Sequence, residues 1–116
     1  MQTYKKLLLQ KLTDNGWALI TQNSDCDWWL EEFWTIQSIH DHRGLELFIL
    51  FKVDPLFEGQ QKSQGVSEVA ATVTLPTNRI AAEENSLALI TVIGYFEQQA
   101  DQLLEAINRY RSVGTE

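Results

Sequence analysis

The sequence predicts an α+β fold: an antiparallel β-meander of about five strands, with an N-terminal and a C-terminal helix packed on one face of the sheet (α-β-β-β-β-β-α). Three observations carry this. Apolar residues recur at helical spacing only near the two ends of the chain. Between them lie runs in which apolar and polar side chains alternate, the period of a strand with two unlike faces. These runs follow one another through short links, as antiparallel neighbours do, and amphipathic helices at both ends need a sheet face to cover.

Residues 1–15 read as a helix, with Tyr4, Leu7, Leu8 and Leu12 on one stripe and Leu9 off it. Asn15-Gly16 stops it, because glycine accepts the left-handed backbone that helix ends often require. Strand runs follow at 17–22 (WALITQ) and 28–39 (WWLEEFWTIQSI). In the second, Trp28, Leu30, Glu32, Trp34 and Ile36 fall on one face, and Trp29, Glu31, Phe33, Thr35 and Gln37 on the other. Residues 40–44 (HDHRG) are a hairpin-length link containing glycine. In 45–54 (LELFILFKVD), Leu45, Leu47, Ile49, Phe51 and Val53 oppose Glu46, Phe48, Leu50 and Lys52.

Residues 54–65 (DPLFEGQQKSQG) form a polar loop. In 66–75 (VSEVAATVTL), Val69, Ala71, Val73 and Leu75 oppose Glu68, Ala70, Thr72 and Thr74, and Pro76 ends the strand because it has no N–H to donate. Residues 77–86 hold a loop or one helical turn. The run 87–93 (LALITVI) is almost wholly apolar, and β-branched Ile90, Thr91, Val92 and Ile93 favour strand over buried helix. From Tyr95 to Val113, the 4-3-4-3 spacing of Phe96, Ala100, Leu103, Ile107 and Tyr110 defines an amphipathic helix. Glu97 near its start and Arg109 and Arg111 near its end complement the helix dipole.

The 116 residues fit one domain, 1–116, able to bury a core without staples. The net charge of −7 opposes affinity for nucleic acid, which needs clustered Lys and Arg, and for anionic membrane surfaces. The basic residues are instead scattered, with Lys5, Lys6 and Lys11 at the start and Arg109 and Arg111 at the end. A basic partner, or simple colloidal solubility, suits the charge better. No apolar run approaches the roughly 18 residues of a membrane span, and the start lacks the long apolar core of a signal peptide. A single cysteine rules out an intramolecular disulfide framework. Together these give the expectation of a cytoplasmic protein.

No arrangement of residues reads as catalytic machinery. His40 and His42 alternate as metal ligands on a strand do, but a site needs a third or fourth donor. Cys26 is the obvious addition, yet fourteen residues of extended chain, at roughly 3.3 Å each, put it about 40 Å from His40. Cys26 also lies between Asp25 and Asp27, which oppose formation of a thiolate nucleophile. Glu31 and Glu32 are adjacent on a strand and should face opposite ways, so they do not form an acid/base pair. Glu32 is the odder of the two, since its neighbours on that face are apolar. Pairing with a cation such as Arg79, or a break in register, would explain it. Trp17, Trp28, Trp29 and Trp34 read as core before stacking platforms. No catalytic, cofactor-binding or metal residue is assigned.

What the pattern does single out is the face left bare by the helices. Trp29, Phe33, Phe48 and Leu50 should lie there among Glu31, Thr35, Glu46, Lys52 and Thr72, and apolar patches of that kind mark interaction surfaces. The expected function is that of a non-enzymatic protein-interaction module, homodimeric or bound to another protein through this face or an edge strand. A loop such as 54–65 folding over the face is the competing expectation. So is a small ligand or substrate held between the sheet and the 54–65 and 76–86 loops.

Overall fold

A computed structural model describes residues 3–24, 29–39, 45–53, 66–76, 86–92 and 95–114. In chain order the elements are α1 (Thr3–Asp14), β1 (Trp17–Asn23), β2 (Leu30–Ser38), β3 (Glu46–Val53), β4 (Val66–Thr72), β5 (Ser86–Thr91) and α2 (Phe96–Gly114). The five strands make one antiparallel sheet in the order β1-β2-β3-β4-β5, so the expected α-β5-α meander is the fold.

Helix α1 stops where the sequence places its stop. Gly16 sits at φ 81°, a conformation that costs a residue with a Cβ. Both helices cover the same sheet face, with Leu8 and Leu12 from α1 and Phe96, Ala100, Leu103, Leu104 and Ile107 from α2. Beneath them lie Trp17, Trp34, Ile36, Leu47, Ile49, Phe51, Val69, Ala71 and Ile90. The register explains this set. Trp34 pairs with Ile49, Ile49 with Ala71, and Ala71 with Ala88, and directly paired residues share a face.

Polar contacts tie the C-terminal end of α2 to the turn after α1. The Arg111 guanidinium lies 4.7 Å from the centre of the Trp17 ring and donates to the carbonyls of Asn15 (3.0 Å) and Gly16 (3.3 Å) and to Ser38 Oγ (3.3 Å). Trp17 Nε1 donates to Asn108 Oδ1, and Asn108 Nδ2 donates to Asn15 Oδ1, each at 2.9 Å. These donors satisfy carbonyls that a helix end and a turn leave open.

Each of the four strand pairings contains a register shift, and the one in β2 changes which residues share a face. The β2–β3 register shifts between Leu30 and Glu32, a β-bulge that leaves Glu31 as the extra residue. Leu30 was expected beside Trp34 under the helices. It packs instead with Trp29 on the opposite face, because the extra residue reverses the side on which Leu30 falls, while Trp29 lies before the strand begins. Trp28, expected on the helix side, lies outside the described residues.

Candidate functional site

On the helix-free face, pairing aligns Phe33, Leu50, Ala70 and Leu89 in one row across β2 to β5. A second row holds Thr35, Phe48 and Thr72, and a third Leu30, Lys52, Glu68 and Thr91. Trp29, Leu30, Leu50 and Ala70 form a second apolar cluster, with Phe33 and Phe48 packed against it. The four expected interaction residues are therefore brought together. They differ in access: Leu50 is fully buried, Trp29 is 4% exposed, and Phe33 and Phe48 are half-buried. The rings of Phe33 and Phe48 meet edge-on with centroids 6.3 Å apart, a favoured aromatic geometry.

The polar residues of this face are also deeper than alternation alone conveys. Lys52 is 1% exposed, with its ammonium 3.6 Å from Glu68 Oε1. Thr72 is fully buried, and its hydroxyl has no hydrogen-bond partner among the described residues. Glu46, paired with Gln37 one row beyond Phe48, is exposed and makes no ion pair among the described residues. Leu89, which the sequence reading did not single out, extends the apolar row to the sheet edge and is 45% exposed. Its signal was present: it alternates with Thr91 on a strand whose partner places Ala70 and Glu68 on this face.

A second cluster sits on the helix side. The bulge turns both Glu31 and Glu32 toward Lys5 of α1, where opposite faces were expected. Lys5 Nζ donates to Glu32 Oε1 and lies 3.4 Å from Glu31 Oε2. Trp34 Nε1 donates to Glu32 Oε2 at 3.1 Å. The ammonium also lies 4.8 Å from the centre of the Phe51 ring. Burial pushes the Tyr4 hydroxyl above its ordinary range, and the negative charges of Glu31 and Glu32 add to the shift. Glu32 is thus a part-buried acid whose cation is Lys5. Arg79, the partner first considered, lies outside the described residues. The burial of Lys5, though not its partner, has a trace in the sequence, since it stands three residues before Leu8 and seven before Leu12 on one helical face.

Cys26, His40 and His42 lie outside the described residues, as do the 54–65 loop and residues 77–85 of the 76–86 loop. Among the described residues, no three His, Cys, Asp or Glu side chains converge as metal ligands would, and no helix is long and apolar enough to cross a membrane. Comparison with known protein families, curated proteins and solved structures finds no match to this chain.

Proposed function

We propose that this protein is a non-enzymatic interaction module that binds another protein surface, or a second copy of itself, through the helix-free face of its sheet. The observation that supports this best is the half-buried Phe33–Phe48 pair, backed by buried Trp29, Leu50 and Ala70 on the side of the sheet away from both helices. Aromatic side chains over a packed apolar floor resemble the anchor residues that dominate binding energy at interfaces.

Two further observations weigh on the choice. An edge strand was the other surface expected to bind, but both edges are blunted. β1 carries a bulge between Leu19 and Thr21, the β4–β5 register shifts between Ala71 and Thr72, and the Thr91 N–H is taken by Gln99 Oε1 at 2.9 Å. Such features keep an edge from recruiting another strand. A pocket lined by Glu32 would favour a small-ligand binder or enzyme, yet the Glu32 carboxylate is engaged by Lys5 and the Trp34 indole.

Sedimentation equilibrium of the wild type and of Phe33→Ser/Phe48→Ser tests the self-binding form of this reading. A concentration-dependent dimer that the double substitution abolishes supports it. A dimer that survives the substitution places self-association elsewhere on the molecule.

A further inference from the structure

The charges around the Phe33–Phe48 pair select between occupants. Glu46 stands two residues before Phe48 on β3, so its side chain leaves the same face. It is exposed and makes no ion pair among the described residues. Glu68, on the same face, keeps part of its side chain exposed (30%). The only cation among the described positions of this face, Lys52, is 1% exposed and held beside Glu68. Elsewhere Lys5, Lys11 and Arg109 face carboxylates of the same chain, Arg111 is bonded to the turn after α1, and exposed Lys6 belongs to α1, which covers the other face. The chain as a whole carries −7.

A second copy presenting the same described positions would therefore bring Glu46 a carboxylate and no accessible cation. Like charges at an interface rim slow encounter and penalise the wrong partner. The apolar part of the face has room for a short segment. From Phe33 to Leu89 the row crosses three strand spacings of about 4.8 Å, roughly 14 Å in all. Its middle positions, Leu50 and Ala70, are buried, so contact would fall on the accessible Phe33, Phe48 and Leu89.

We propose that the helix-free face docks a basic amphipathic segment of a different protein, with apolar side chains against Phe33, Phe48 and Leu89 and a lysine or arginine against Glu46. This rests on the interaction reading above and names its partner chemistry. Docking and charge make separable contributions. The apolar contacts supply most of the affinity, while Glu46 selects the sign of the partner's charge.

The test is calorimetric titration of the intact protein with a peptide of alternating leucine and lysine, and with the same peptide carrying glutamate in place of lysine. The lysine peptide should bind and the glutamate peptide should not. Glu46→Lys should weaken the lysine peptide about threefold to tenfold and strengthen the glutamate peptide. Phe48→Ser should weaken binding at least about tenfold. Leu89→Ser, at an exposed edge position where folding is not at stake, should weaken it by a smaller factor. Binding of the lysine peptide that ignores Phe48→Ser, Leu89→Ser and Glu46→Lys would be diffuse attraction to an acidic chain and would overturn the proposal. A dimer abolished by Phe33→Ser/Phe48→Ser, with no peptide binding, would keep the face as the interface but overturn the basic partner. A monomer that binds neither peptide would overturn both.

Discussion

Lys5 of α1 donates to Glu32 of β2 across 27 residues of sequence, and so pins the first turn of the helix to the sheet. The β-bulge before Glu32 brings Glu31 to the same ammonium. Lys5 is nearly buried, with the Tyr4 and Phe51 rings beside it and these two carboxylates as its ionic partners. Lys5→Ala should lower unfolding free energy in urea by roughly 3 kcal/mol, because it leaves carboxylates facing an apolar wall. Lys5→Met combined with Glu32→Gln should recover much of that loss. Equal stability of Lys5→Ala and the wild type would mean that the contact carries no weight.

Tyr4 gives the alkaline side of the same cluster. Its hydroxyl is buried without a hydrogen-bond partner among the described residues, and burial raises its pKa above the ordinary value near about 10. The unfolded chain therefore gives up this proton first as pH rises. The contribution to stability is complete below about pH 10 and declines above it, since the folded state retains a proton the unfolded state has lost. Tyr4→Phe should remove this part of the alkaline loss. At neutral pH it should be neutral or stabilising by about 1 kcal/mol, because it deletes an unsatisfied hydroxyl. Urea titrations at pH 7 and pH 10.5 compare the two.

Arg111 joins three parts of the fold through Trp17, the Asn15–Gly16 carbonyls and Ser38. Lysine keeps the charge but neither the planar stack nor the fork of donors. Arg111→Lys should therefore cost about 1–2 kcal/mol in thermal or urea unfolding. It should also shift the Trp17 indole N–H resonance. An unchanged indole signal would count against the stack.

Gly16 tests the helix stop. With φ at 81°, Gly16→Ala should cost about 1–2 kcal/mol with no change in the fold seen by circular dichroism. A gain in stability would show that the turn relaxes to a right-handed backbone.

Much of the architecture could be read from periodicity. The 4-3-4-3 stripe of α2 and the clean alternation of β3 name their own buried faces, and Phe96, Ala100, Leu103 and Ile107 are buried as that stripe requires. The bulge at Glu31 could not be read in this way. Alternation records the side of each residue only while the register holds, and one extra residue sent Leu30 to the far face and set Glu31 beside Glu32. Glu32 among apolar neighbours was the visible trace of both the bulge and the buried cation. The partner itself, Lys5, lies 27 residues away on another element, and no local pattern joins them. On the helix-free face, alternation grouped Trp29, Phe33, Phe48 and Leu50 correctly but not their depths. Burial there depends on what surrounds each position, and Leu50 is closed off within the Trp29, Leu30 and Ala70 cluster while Phe48, on the same strand, is packed against that cluster and part-exposed.

The helix-free face is the surface through which this protein is proposed to bind. The most direct measurement is a map of backbone amide shifts during titration with the leucine–lysine peptide. The largest shifts should fall at Phe33, Glu46, Phe48 and Leu89, with exposed residues of α2 such as Gln102 and Glu105 unmoved. Shifts confined to α2, with the β2–β5 amides unchanged, would contradict that proposal.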